Sequence, residues 1–361
     1  MNEHGGNIYK IARQNGQASE YLDYSANINP LGLADSVRSA IIGGIDSIIH
    51  YPDTEGFLLK QAIAKHYQIE YETITLGNGA VELMYVLGHV TRPRRVLTVA
   101  PAFSEYERTA EISNASIRYL PLTEANGFQG NAEAVVRELM AGDLVFLGNP
   151  NNPTGTMIAR DELVTIIKKA KDRGAVIAVD ESFIDFVEAG EDYTVRHLVG
   201  EYDNLVVFHS LTKFYAIPGL RLGFAVSCPV LRAKLEWGKD PWNVNSLAQI
   251  AGCVALTDYV YQDASRALVI REKDHLYRMV QSIEGLEPFV PSVNFMLIKI
   301  TKDGLTAAKL KQMMIEKEQI LIRDCSKYEG LSDEFIRVAV KNREQNMRLI
   351  EGLKRVVGEM I

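Results

Sequence analysis

The stretch Ser210-Leu211-Thr212-Lys213-Phe214-Tyr215-Ala216-Ile217-Pro218-Gly219-Leu220-Arg221-Leu222-Gly223 decides how this 361-residue chain is read. It follows a short aliphatic segment, 205–208, and precedes another, 222–226. Two hydroxyls, a lysine and an arginine therefore sit at the end of a strand that the pattern predicts to be buried on both faces. A lone strand-end lysine is usually solvated. Lys213, however, is set among apolar and small residues, where burial lowers an amine's pKa and makes it nucleophilic.

Working outward, further short apolar strands are predicted over 74–76, 96–99, 144–147 and 175–179. Helix-length segments such as 160–172 separate them, as in a mostly parallel sheet covered by helices. Each strand runs into a polar or glycine-rich turn, and in such sheets ligands bind beyond the carboxyl ends of the strands. Three of these turns carry chemistry. Gly77-Asn78-Gly79-Ala80-Val81-Glu82 could present bare backbone N–H groups to a phosphate, although glycine turns are common. Asn149-Pro150-Asn151-Asn152-Pro153-Thr154-Gly155 reads equally as a tight turn. In Val179-Asp180-Glu181-Ser182-Phe183 a carboxylate ends an apolar strand, a costly place unless it is paired, caps a helix or faces a crevice.

The last hundred residues read differently. Strands are predicted over 293–300, 320–323 and 335–340, with helices over 305–316 and 342–357. A helical stretch, 246–283, joins this small α+β unit to the rest. The expected division is a large unit over 46–245 and a smaller one formed by 1–45 with 246–361.

Composition limits the function. Lys and Arg number 39 against 46 Asp and Glu, a net charge of −7, with no long basic run, so nucleic acid is not the expected partner. No apolar run approaches the ~20 residues of a membrane span, and Met1-Asn2-Glu3-His4-Gly5-Gly6 lacks the look of a secretory leader. Cys228, Cys253 and Cys325 are odd in number and lack metal-ligand spacing, as expected of reduced cytoplasmic thiols. No metal site is expected.

A lysine for a Schiff base, an aspartate for a pyridinium nitrogen, and a glycine turn with Ser, Thr and Arg for a phosphate are what a pyridoxal-phosphate (PLP) site requires. In the order and spacing of these motifs the chain resembles the α/β, fold type I, aspartate-aminotransferase-like PLP enzymes along nearly its whole length. Further segments narrow the likeness. They are His4-Gly5-Gly6-Asn7, the run Asp23-Tyr24-Ser25-Ala26-Asn27-Ile28-Asn29-Pro30-Leu31-Gly32, Tyr51-Pro52-Asp53, Pro241-Trp242-Asn243-Val244-Asn245 and Ile320-Leu321-Ile322-Arg323-Asp324-Cys325. With these the chain is similar to the threonine-phosphate decarboxylases of cobalamin biosynthesis, a family close to the histidinol-phosphate aminotransferases.

The resemblance implies roles. Lys213 would form the Schiff base and move protons, Asp180 would hold the pyridine nitrogen protonated, Asn152 would donate to the ring's phenolic oxygen, and Phe103 would stack on the ring. The cofactor phosphate would meet Asn78, Gly79, Ala80, Ser210, Thr212 and Arg221, with Tyr51 reaching it from a second copy in a homodimer. Arg337 would take the substrate carboxylate and Arg323 its phosphate, joined by His4 and Asn27. The implied substrate is a small phosphorylated amino acid. One departure from the aminotransferase pattern stands out: Phe183 occupies the place of a tyrosine whose hydroxyl usually bonds the cofactor, which counts against transamination. The alternative activity is that of a histidinol-phosphate aminotransferase or a related transaminase.

Overall fold

The computed structural model describes residues 5–9, 13 and 21–359. Its largest sheet has seven strands: β2 (Ile74–Gly77), β3 (Arg95–Ala100), β4 (Ser116–Pro121), β5 (Asp143–Gly148), β6 (Val176–Asp180), β7 (Leu205–Ser210) and β8 (Gly223–Ser227). They lie in the order β2-β8-β7-β6-β5-β3-β4. The pairs β4–β3, β3–β5, β5–β6 and β6–β7 are parallel, and β8 runs antiparallel to both β7 and β2. β8 is thus the reversed strand, and the other six point one way.

The interior strands are buried at nearly every position, which explains why they read as aliphatic runs rather than alternating ones. The covering helices show the complementary pattern. In Arg160–Arg173 the buried residues are Leu163, Ile166, Ile167 and Ala170, a 3–4 spacing that gives one apolar stripe. Gly174, at φ +72°, ends that helix in a left-handed conformation that costs glycine little. The edge strand β4 escaped prediction because its burial alternates and its side chains include Ser116 and Arg118.

A second sheet is antiparallel, in the order β12 (Arg323–Asp324), β13 (Phe335–Ala339), β10 (Phe295–Ile300), β9 (Leu286–Pro288). The strand expected over 320–323 is split. Its first half, β11 (Ile320–Leu321), pairs in parallel with β1 (Leu22–Asp23), while β12 turns to pair with β13. Helices Ala307–Glu318 and Arg343–Gly358 cover this sheet, the latter capped by the Asn342 side chain accepting from Gln345 N–H at 2.9 Å. Tyr24 is fully buried in that core, its hydroxyl donating to Asn346 Oδ1 at 3.1 Å. The helical stretch expected over 246–283 is two helices, Ser246–Ala255 and Tyr259–Gln281.

The loop after β5 is strapped by one side chain. Asn149 is fully buried; its Oδ1 accepts from Ile158 N–H at 2.8 Å and its Nδ2 donates to Ile158 O at 3.2 Å. The Asn149 N–H meanwhile continues the sheet to Asp180 O at 2.9 Å. Replacing Asn149 with Ala strands two buried backbone groups, for an expected loss of about 2–4 kcal/mol. Urea unfolding should show a lower midpoint at unchanged slope, and an unshifted midpoint would contradict the strap.

Candidate active site

The register of the large sheet brings the ends of its strands to one edge. Gly148 pairs with Asp180, Asp180 with Phe208, Ser210 with Gly223, and Gly77 with Gly223. β8 begins where its neighbours end, so the turn before it, which carries Arg221, opens on the same side. A cavity of about 720 Å³ lies there, lined among others by Gly79, Ala80, Phe103, Asn152, Ser210, Thr212, Lys213 and Arg221. Asn27, Arg323 and Arg337 complete its wall from the other side.

Lys213 is half-buried in a one-turn helix after β7, and its Nζ donates to Ser210 Oγ at 2.9 Å. Burial, the largest influence, pushes its amine down to about 8; Asp180 opposes that shift and Arg221 adds to it. Ser210 Oγ also lies 2.8 Å from Thr212 Oγ1, so these two hydroxyls and the amine form one cluster. Asp180, 7% exposed, accepts from Tyr106 OH at 2.8 Å and from Ser182 N–H at 3.0 Å. The Tyr106 ring is stacked on Phe146 at 4.9 Å, and burial together with Asp180 pushes its phenol upward, keeping it a donor.

Gly79 adopts φ +81°, and a Cβ there would strike the Arg221 guanidinium. Only glycine lets that arginine lie across the turn. Arg221 itself sits at φ +57°, so its left-handed backbone aims the side chain back at the β2 turn. The Asn78 N–H is bonded to Glu82 Oε2 at 2.7 Å, and the Asn78 side chain is exposed.

Arg323 and Arg337 face each other as paired residues of β12 and β13. They are 8% and 5% exposed, and the Nε of each has no partner among the described residues. Arg337 donates to Ser25 O at 2.9 Å and to Asn152 Oδ1, and its guanidinium lies 5.4 Å from the Phe295 ring. Arg323 lies 5.5 Å from the Tyr328 ring. Asn27 is buried, and its Oδ1 has no partner among the described residues. Like charges directly opposite across a ladder destabilise it.

The Phe183 ring lies 5.5 Å from Lys213 Nζ and packs edge-on against Phe295, offering no hydrogen bond. Tyr51 does not line this chain's cavity: it is 80% exposed and rests against Trp242, with ring centroids 4.9 Å apart. His4 lies outside the described residues. Sequence reasoning missed Tyr106 and Tyr328. Tyr106 follows Phe103 by three residues into the helix Ser104–Ile112, a spacing that could have revealed it. Tyr328 belongs to an irregular loop without periodicity.

The family model for aminotransferase class I and II matches residues 19–353. The threonine-phosphate decarboxylase of Salmonella typhimurium is 37% identical over 357 residues, covering 98% of this chain and 96% of that protein. The crystal structure of L-threonine-O-3-phosphate decarboxylase from Porphyromonas gingivalis superposes with a TM-score of 0.82 at 25% identity, covering 93% of this chain and 99% of that one. That of the histidinol-phosphate aminotransferase from Clostridium acetobutylicum gives 0.87 at 30% identity, covering 94% and 99%. Sequence and fold agree along the whole chain: it belongs to the aminotransferase class I and II family.

Proposed function

We propose that the protein is a PLP-dependent decarboxylase that converts L-threonine O-3-phosphate to (R)-1-amino-2-propanol O-2-phosphate and CO2. The observation that carries the substrate is the buried Arg323–Arg337 pair in the cavity that holds Lys213. A phosphorylated amino acid brings a carboxylate and a phosphate, one for each guanidinium, and its amine meets the lysine. Arginine suits both anions because its planar fork makes parallel charge-assisted bonds.

The residues fit the cofactor. Gly79 leaves the space that Arg221 crosses, Ser210 and Thr212 stand beside it, and Lys213 is a buried amine with a lowered pKa. Gly79, Ala80, Ser210, Thr212 and Arg221 would hold the phosphate, Asp180 the ring nitrogen, Asn152 the phenolic oxygen and Phe103 the ring face. Bound PLP would supply an electron sink for the pair released when the substrate's C–COO⁻ bond breaks. Arg337 fixes the carboxylate, Arg323 and Asn27 the phosphate, and Lys213 delivers the proton to the same carbon. Holding the carboxylate in the productive pose is what selects C–C over C–H cleavage, since one scaffold can host both. Phe183 contributes no bond to the phenolic oxygen and leaves that task to Asn152.

Purified protein loaded with PLP should release CO2 from L-threonine phosphate. It should form no glutamate from histidinol phosphate with 2-oxoglutarate; glutamate without CO2 would establish the transaminase instead. Arg337→Met and Arg323→Met should each raise KM roughly 10- to 100-fold, by the loss of a charge-assisted bond.

The lowered pKa of Lys213 sets a pH dependence. The amine reacts when neutral, and with a pKa of about 8 about one in ten is neutral at pH 7, against roughly one in three thousand for an exposed lysine. Uptake of PLP by the apo-protein, followed by absorbance, should rise with pH and level off above about pH 8. A rise continuing to pH 10 would mean that Lys213 is solvated. Lys213→Ala should show no turnover at any pH.

A homodimer completes this reading. Ile42, Ile45, Ile48, Ile49, Phe57 and Leu58 are exposed on either side of Tyr51 in sequence, an apolar segment suited to a second copy. Tyr51, outside its own cavity, would then reach the other subunit's phosphate site. Sedimentation equilibrium should give twice the 40.3 kDa chain mass; a monomer would remove Tyr51 from the site.

A further inference from the structure

The segment Trp242-Asn243-Val244-Asn245 is not among the residues lining the cavity, yet it touches the glycine turn, the Arg221 loop and the Tyr51 loop. The Asn243 amide is used in full. Its Nδ2 donates to Leu76 O at 3.1 Å and to Glu82 Oε2 at 2.7 Å, and its Oδ1 lies 3.4 Å from Lys239 Nζ. Leu76 is the residue before Gly77, where β2 turns. The same Glu82 oxygen accepts from Asn78 N–H at 2.7 Å. Asn243 and Glu82 therefore grip the Gly77–Asn78–Gly79 turn from both ends, one at the strand and one at the helix that follows.

Two residues on, Asn245 grips the opposite side of the cradle. Its Nδ2 donates to Leu220 O at 3.0 Å, immediately before Arg221, while its Oδ1 caps helix Ser246–Ala255 by accepting from Ala248 N–H at 2.8 Å. Between them, Val244 O accepts from Gln249 Nε2, which also donates to Asp53 O at 2.9 Å, two residues after Tyr51. Trp242 carries the Tyr51 ring itself. One four-residue segment thus spaces the glycine turn, the Arg221 loop and the Tyr51 loop relative to each other. A helix cap anchors the segment, so its position is fixed by the fold rather than by the ligand.

The cradle needs such support. Arg221 lies across Gly79 with no room for a Cβ between them, and it holds a left-handed backbone conformation that side chains seldom adopt. A shift of the glycine turn against the arginine loop would open or block the gap where a phosphate sits. Phosphate oxygens are held through short, directional, charge-assisted bonds, so a small displacement weakens them strongly.

We infer that Asn243 is a positioning residue for cofactor-phosphate recognition, acting with Asn245 as a staple that sets the distance between the Gly77–Gly79 turn and Arg221. The inference rests on the proposed placement of the PLP phosphate at Gly79, Ala80 and Arg221. The contrast that isolates it is PLP against pyridoxal, which shares the ring and aldehyde but lacks the phosphate. Asn243→Asp sets a carboxylate oxygen against the acceptors Leu76 O and Glu82 Oε2, replacing both donations by repulsion, while Asn243→Ala only removes them.

The full-length protein, freed of cofactor, is titrated with each compound, and the phosphorus NMR shift of bound PLP is recorded. Asn243→Asp should weaken PLP binding about tenfold or more, Asn243→Ala less, with pyridoxal affinity within about twofold of wild type. The phosphorus resonance should move in both variants. Equal losses for PLP and pyridoxal would overturn the inference in favour of general destabilisation, and unchanged PLP affinity would overturn it outright. Arg221→Ala separates this from the underlying reading. If that variant also binds PLP as wild type does, the phosphate placement itself fails; if it loses PLP while Asn243 variants do not, only the staple fails.

Discussion

The site depends on one constraint, the hydrogen-bond register at the edge of the seven-stranded sheet. Parallel pairing of β5, β6 and β7 brings Gly148, Asp180 and Phe208 level, and reversed β8 sets Gly223 beside Ser210 and Gly77. Each strand then hands its turn to the same opening. A one-residue slip in any pair would exchange the faces of the strand and turn Asp180 or Ser210 to the opposite face. The buried aliphatic strands fix that register, since every position has a packed neighbour on both faces. The stability of the core and the geometry of the site are therefore one requirement.

The second sheet contributes what the first does not, two guanidinium groups aimed into the same space. Like charges directly opposite on a ladder repel each other. The protein offsets part of this with the Ser25 carbonyl, the Asn152 amide and the faces of Phe295 and Tyr328. Among the described residues the Nε of each arginine has no partner. The chain is acidic as a whole, at −7, while Lys213, Arg221, Arg323 and Arg337 meet in one cavity. Local charge, not net charge, describes what it binds.

Much of this was legible in the sequence because it rests on local chemistry. The strands around Val145, Ile177 and Val207 announce themselves as aliphatic runs, and Lys213, Asp180 and Gly79 stand at their ends. Edge strand β4 was illegible because an edge half-exposes its residues and dilutes the pattern. The break between β11 and β12 was illegible for another reason: Leu321 pairs with Asp23 and Arg323 with Arg337, partners distant in sequence. Tyr328 falls in the same class, for its role arises only when an irregular loop meets Arg323. The Asn78 N–H illustrates a third limit. A glycine turn advertises bare donors, but whether a given donor is already taken by Glu82 is decided by side-chain geometry.

The reverse face of the same edge pairs its charges differently. Strand alternation sends Glu181 and His209 to the opposite face from their neighbours Asp180 and Ser210. Behind the sheet opposite charges meet. Glu181, fully buried, accepts from Thr194 Oγ1 at 2.6 Å and Val195 N–H at 2.9 Å, with Arg196 3.8 Å away. His209 Nε2 meets Asp185 Oδ2 and Tyr67 OH, each at 2.9 Å. Burial alone would raise the Asp185 carboxyl, yet His209, His66 and Arg196 hold it down to about 2. Among the described residues, Asn27 Oδ1 and the Nε atoms of Arg323 and Arg337 have no partner on the cavity side, as Arg196 Nε and His209 Nδ1 have none behind the sheet. The same backbone supplies both faces at similar depth, so burial does not separate them. Behind the sheet Glu181 and Asp185 face Arg196 and His209 of the same chain, whereas in front Arg323 and Arg337 face each other across a ladder.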